Sequence, residues 1–258
     1  MRGLVRALMM FAAAGSLVAS AGAADLSTRD VTAMLFKASR AAPPDLSGKN
    51  LSRLDLADLD FKAANLANAN LFGADLTRAD LVKADLRGAR LDRATITAAR
   101  FDGADMTGVS LLSPNMFSTL EVVRHEIASF AGANMAGAVI IGRFDFVSFR
   151  GADLTGAVFG SRDPRSPLKR VVMVACDFQH ADLRNADLQW NVAKYAKFQD
   201  ADVRGANFAN ANLMAANFSR ANVAGSDFTG AVLDGAKFEG AQGLEAAKGL
   251  TSAILGTR

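Results

Sequence analysis

From Leu46 onward an apolar residue, Leu or Phe in most copies, recurs every five residues, with Ala two places before it and Asp or Asn one place before. Leu46 to Leu111 forms an unbroken series of 14 such centres, and Met173 to Phe238 forms another 14. Seven more run from Phe130 to Phe159, with one slip of phase between Ile140 and Phe144. Self-similarity at a fixed period over such a length marks a repeat architecture. On a helix, five residues turn through about 500°, so successive centres lie about 140° apart and form no apolar stripe. In a straight strand an odd period would throw alternate centres to opposite faces. The pattern therefore predicts a very short strand and a turn in every repeat. Ala and the central residue point inward, Asp or Asn points outward, and the last two residues turn the chain.

The number of repeats per coil follows from the bulky residues. From Phe198 the centres read Phe198, Val203, Phe208, Leu213, Phe218, Val223, Phe228, Leu233 and Phe238, so Phe returns every ten residues. Three repeats per coil would scatter Phe over every side, and two cannot enclose a core. Four is the smallest workable number. It predicts an all-β solenoid with 20 residues per coil, a ladder of Phe178, Phe198, Phe218 and Phe238, and an opposing ladder of Leu188, Phe208 and Phe228.

The A(D/N)LXX pattern, as in Ala79-Asp80-Leu81-Val82-Lys83 and Ala206-Asn207-Phe208-Ala209-Asn210, resembles the pentapeptide repeat proteins over about three quarters of the chain. The resemblance implies a right-handed quadrilateral β-helix, the handedness coming from the family alone. The 35 repeats correspond to about nine coils, a rod roughly 40 Å long.

Open ends of such a rod need short helical caps, because they expose strand edges and core. Ser27 followed by Asp30 reads as a helix start, with Val31, Met34, Leu35 and Ala38 at helical spacing and Pro43-Pro44 as a stop. Leu244, Ala247, Leu250 and Ile254 predict a second, weaker cap, although Gly249 opposes it. The predicted organisation is a signal segment at 1–23, an N-terminal cap and lead-in at 24–45, and the solenoid at 46–243. Insertions interrupt the solenoid at 112–129 and 160–170, and a C-terminal cap or tail occupies 244–258.

Arg2 and Arg6, the apolar run from Ala7 to Val18 and the small-residue site Ala21-Gly22-Ala23 read as an export signal cleaved near Ala23. This predicts a periplasmic or secreted protein with no integral membrane segment after cleavage; an uncleaved anchor is the alternative. The net charge of +3 falls to +1 once Arg2 and Arg6 are gone. So small an excess does not predict nucleic-acid binding.

Candidate chemistry is sparse. Cys176, the one cysteine, falls at an Ala position and is expected in the core, while His180 falls at an outward turn. The two are not expected to meet as nucleophile and base, so an enzyme using Cys176 is disfavoured, and neither metal nor cofactor is expected. In the first insertion Ser118 and Glu121 suggest a helix start. Glu121 and His125, four apart, form either a solvated pair or half a metal site. The second insertion is basic, with Arg162, Arg165, Lys169 and Arg170 against Asp163. Either it is a solvated loop or it meets an acidic partner. The single Trp and the single Tyr, Trp190 and Tyr195, stand at the outward last position of successive repeats, where Asn191 and Ala193 replace the usual Ala and Leu. This is either a packing defect covered by rings or a binding corner.

The expected function is a non-catalytic exported scaffold presenting an interaction surface to an envelope protein whose identity is unknown. The candidate surface is Trp190, Tyr195, His180, Arg162, Arg165, Lys169 and Arg170. The alternative within the family is DNA mimicry directed at topoisomerases, which the export signal and near-neutral charge disfavour. A monomer is expected, with an end-to-end dimer as the alternative.

Overall fold

The computed structural model describes residues 23–116, 127–161 and 170–250. These residues form a β-solenoid. Parallel bridges join residues 20 apart in sequence, for example Asp45 to Asn65, Asp60 to Asp80 and Asn207 to Asp227. The central residues consequently fall into four columns, one for each of four successive pentapeptides. Among the described residues three segments are long enough to count as strands: β1 (Ser110–Leu112), β2 (Val139–Ile141) and β3 (Val158–Phe159). They form one parallel sheet in the order β1-β2-β3.

The five positions of the repeat are explained by where each backbone N–H goes, and the copy at 79–83 shows the rule. The first-position N–H of Ala79 donates to Leu76 O, closing the turn (2.9 Å). The second, on Asp80, reaches back one coil to Leu59 O (2.9 Å). The third and fifth, on Leu81 and Lys83, reach forward one coil to Arg100 O (2.8 Å) and Asp102 O (3.1 Å). That leaves the fourth, on Val82, which donates to the side chain of Asp80 (3.0 Å). Asp or Asn at the second position thus supplies the one acceptor that the coil lacks.

In three copies whose second residue is neither Asp nor Asn, an aspartate one coil earlier supplies the acceptor. Asp92 accepts from Leu112 N (3.2 Å), Asp102 from Ala131 N (3.1 Å) and Asp145 from Val174 N (2.8 Å). The second-position residues there are Ser110, Val172 and Ser129, the last of which shares Ala131 N through a longer bond to its Oγ (3.5 Å). This explains why Asp92 and Asp145 are buried.

The fifth residue sits in the left-handed region in copy after copy, among them Lys83 (φ 60°), His180 (φ 60°) and Gly205 (φ 67°). At the phase slip Gly142 has φ 145°. A Cβ there would lie 3.3 Å from the Pro114 ring and 3.4 Å from Ser113 Cα, so the shortened turn needs glycine.

Inside, the predicted Phe ladder is present and longer than expected. Stacked rings run Phe101, Phe130, Phe149, Phe178, Phe198, Phe218, Phe238, with centroids 4.5 to 5.4 Å apart. Phe208 and Phe228 stack in a second column (5.1 Å) and meet the first edge-on, as Phe208 does Phe218 (5.6 Å). Offset stacking along the axis and edge contacts across it are the two favoured aromatic geometries.

At the N-terminal end α1 (Thr28–Lys37) lies over the first coils. Ser27 and Asp30 form a reciprocal capping box, and Val31 and Leu35 are buried. Lys62 Nζ closes the other end of the helix by donating to Leu35 O (2.9 Å) and Ala38 O (3.0 Å). The C-terminal end differs from the sequence expectation. Leu244, Ala247 and Leu250 form no helical stripe; a single 3-10 turn, Leu244–Ala246, is followed by extended Ala247 and a bridge from Lys248 to Asp227. The repeat goes on with one residue added, because Gly243 (φ 74°) and Gly249 (φ 76°) favour left-handed turns over helix. Ile254 lies outside the described residues. No helix among the described residues is long and apolar enough to cross a membrane.

Candidate interaction surface

Cys176 and His180 are separated as the repeat requires. Cys176 is fully buried, and its Sγ donates to Phe144 O (2.8 Å). Burial pushes its thiol well above the ordinary value, so it holds its proton. His180 is exposed at a turn, in the same column as Asp200 and Arg220. Asp200 accepts from Arg220 Nε and Nη2 (both 2.7 Å), which holds its carboxyl below the usual range, with a smaller contribution from the nearby His180 charge. Glu121 and His125 lie outside the described residues, as do Arg162, Arg165 and Lys169.

Trp190 and Tyr195 are both exposed, at 48% and 56%, each in the left-handed conformation. They occupy turns at the two ends of one short segment, residues 191–194, and so border a single face of the solenoid. The bridges Val172–Val192 and Val192–Asn212 fix what stands beside them. Arg170, the last residue of the basic insertion, is one coil before Trp190, and Asn210 is one coil after. Tyr195 lies between Ala175 and Ala215. Of the sequence candidates, Arg170, Trp190 and Tyr195 therefore share one face, whereas His180 belongs to the next turn along.

Asn191 is not a packing defect. Its side chain is buried, with Oδ1 accepting from Val171 N (2.7 Å) and Nδ2 donating to Phe159 O (2.9 Å). In an uninterrupted coil those two groups would take part in turn-closing hydrogen bonds of the Ala79–Leu76 kind. The insertion separates them, and one carboxamide from the following coil bridges its two ends. Alanine, the usual residue there, has no group to do this. The irregularity at 191 thus belongs to the insertion beneath it.

The face between Trp190 and Tyr195 carries residues that the sequence reading passed over. Its second-position residues over four coils are Val172, Val192, Asn212 and Val232, and its fourth-position residues are Val174, Lys194, Met214 and Asp234. Val232 is 40% exposed and the other apolar members are half-buried. The same coils present Asp177, Lys197, Asn217 and Lys237 on one neighbouring column and Asp187, Asn207 and Asp227 on the other. The signal was available in sequence: valine at residues 172, 192 and 232, always at the position the repeat gives to Asp or Asn.

Models of known families match two stretches of the chain. Residues 69–108 match pentapeptide repeats in eight copies, and residues 171–247 match a pentapeptide repeat region. A search of curated proteins found no match. Among solved structures, the chain is similar to HetL, a pentapeptide repeat protein involved in heterocyst differentiation regulation in Nostoc (23% identity, TM-score 0.30, 85% of this chain and 98% of that one). It is also similar to a pentapeptide repeat protein of the Arabidopsis thaliana thylakoid lumen (32%, 0.27, 49% and 76%). A third is full-length QnrB1, a plasmid-mediated fluoroquinolone resistance protein (16%, 0.31, 78% and 91%). With the five-residue grammar and its 20-residue register in place, the chain belongs to the pentapeptide repeat proteins.

Proposed function

We propose that this protein is a non-catalytic, exported scaffold: a rigid, right-handed, four-sided rod of about nine coils that offers one face to a protein partner in the cell envelope. The observation that carries the reading is the contrast in outward chemistry. In the coils from residue 170 on, the face bordered by Trp190 and Tyr195 carries five apolar residues among its eight outward positions, while its neighbours carry Asp, Asn, Lys and Arg at the second position or beside it. In one column Asp85, Asp182 and Asp202 are paired with Arg87, Arg184 and Arg204 at 2.5 to 2.6 Å, which reduces the free acidic charge that DNA mimicry needs. Cys176 is closed off from solvent and keeps its proton, which supports a role without catalysis.

Export rests on the basic, apolar and small-residue succession of residues 1–23. The test has two parts. N-terminal sequencing of the protein recovered from a periplasmic or culture fraction is expected to begin near Ala24; an intact Met1 in the cytoplasm would overturn export. Affinity capture from solubilised envelope is then compared with a Trp190→Ala/Tyr195→Ala variant and one with Arg162, Arg165, Lys169 and Arg170 neutralised. Loss of a specific partner with either variant supports the scaffold reading, and identical capture by all three removes this surface from it.

A further inference from the structure

The valine face has a polarity along the rod that identifies what it fits. In its first two coils four of the six turn and fourth positions are bulky or basic, Arg170, Trp190, Lys194 and Tyr195, the other two being Val174 and Ala175. Its last two are small at the turns, with Asn210, Ala215, Gly230 and Gly235, and acidic at Asp234. One end is the complement of the other in both size and charge.

We propose that this face is a two-fold interface with a second copy of the same chain, the two rods packed side by side and antiparallel. The proposal rests on the scaffold reading and names the partner of that same face. An isologous contact requires a surface complementary to itself. With a two-fold axis crossing the face between the coils of Val192 and Asn212, the coil of Val172 meets the partner's coil of Val232, and the coil of Val192 meets the partner's coil of Asn212. Trp190 then lies over the partner's Asn210 and Tyr195 over the partner's Ala215, so each ring meets a small turn. Arg170 faces the partner's Gly230, and Lys194 comes within one coil of the partner's Asp234. Val172 packs on the partner's Val232. The antiparallel arrangement sets Lys194 on the partner's Met214 and Asp234 on the partner's Val174 but leaves the two charges one coil apart, whereas the parallel one sets them on Val192 and Val232 and leaves them two coils apart, covered without partners. Aromatic rings over small residues with a flanking ion pair form the kind of core that dominates interface energetics.

The repeat itself supplies a clean variant. Asp or Asn at the second position is what most copies use, so Val192→Asn/Val232→Asn removes two apolar side chains from the face while giving each copy an ordinary turn residue. Sedimentation equilibrium of the protein, purified as the cell processes it, is expected to show a dimer. The double variant is expected to raise its dissociation constant by at least about tenfold with circular dichroism and thermal midpoint retained. Asp234→Lys should weaken the dimer, and adding Lys194→Asp should restore it. A monomer at all concentrations, or a dimer indifferent to the double variant and the charge swap, would overturn the proposal. A monomer whose envelope capture still depends on Trp190 and Tyr195 would overturn self-association alone and leave the scaffold reading in place.

Discussion

The coils before residue 117 and those from residue 170 on share the same four columns, yet one column presents opposite surfaces in the two stretches. Its second-position residues are Asp55, Asp75, Thr95 and Asn115 in the first, and Val172, Val192, Asn212 and Val232 in the second. Inward, the first and third residues of each repeat obey one rule throughout, and they fix the coil. Outward, the second and fourth positions are constrained only by the fourth-position N–H, which can borrow an acceptor from elsewhere, as Val174 does from Asp145. The fold is therefore insensitive to most of what its surface carries. A departure from the repeat on the outside is a place to look for function, whereas a departure on the inside is first a question of packing.

The largest effect expected from a single change tests that inward rule. Phe198 is stacked on Phe178 and Phe218 (4.9 and 4.5 Å). Leu86 is fully buried in the first stretch, with Leu66 and Met106 rather than rings in the coils below and above it. Phe198→Ala should cost about 3–5 kcal/mol by cavity formation and lost stacking, and Leu86→Ala about 2–4 kcal/mol. Denaturant unfolding measures both, and equal costs would mean that the ladder adds nothing beyond volume.

Asn191→Ala is the sharper test, because it restores the residue most copies carry. A rule based on the repeat alone expects a gain in stability. The geometry expects a loss of about 2–4 kcal/mol, since Val171 N and Phe159 O would be left in the interior without their partner. The same substitution logic applied to Cys176→Ala, in a coil with no insertion below it, should cost about 1 kcal/mol or less, the thiol being a small apolar filler.

These cases show what a sequence of this kind reveals. The five-residue period, the 20-residue register and the Phe ladder were legible because each depends on residues at fixed separation. Asn191 was visible as an irregularity but not as a bridge, since its meaning depends on which groups the two ends of an insertion leave behind. The roles of Asp92, Asp102 and Asp145 have no local signal, because the coil they serve is 20 or 29 residues further on. Trp190 and Tyr195 were noticed as aromatics, but the valines between them became a surface only once the column was assembled. At the C-terminal end, helical spacing misled because two left-handed glycines outweighed it.

A smaller effect should be the same in both stretches. Asp85 accepts from Arg87 Nε (2.8 Å) and Asp202 from Arg204 Nε (2.8 Å), and in each case the guanidinium hydrogen bond holds the carboxyl below its usual range. A carboxyl with a lowered folded value contributes stability that is fully present above the unfolded value of roughly 3.9 and is lost as pH falls through the folded one. Arg87→Gln and Arg204→Gln should each move the acid-unfolding midpoint upward by a similar small amount. Neither should alter stability at neutral pH by more than about 1 kcal/mol, the pairs being partly exposed. A shift confined to one variant would show that the two stretches do not share their outward energetics.

The smallest expected effect bears most directly on why the two stretches differ. Asp75→Val removes the acceptor for Thr77 N (2.9 Å) and should cost about 1 kcal/mol. The reciprocal Val192→Asn offers Lys194 N an acceptor of the kind other copies use and should gain about 0.5 kcal/mol at most. Both are to be measured by urea unfolding at a protein concentration too low for self-association to contribute. If the asymmetry has this sign, the valines are slightly worse than Asn for the isolated coil, and their presence at residues 172, 192 and 232 must be explained by what the face meets. If Val192→Asn instead costs as much as Asp75→Val, valine is the better residue for this column in its own coil. The apolar face would then follow from internal stability and need no partner.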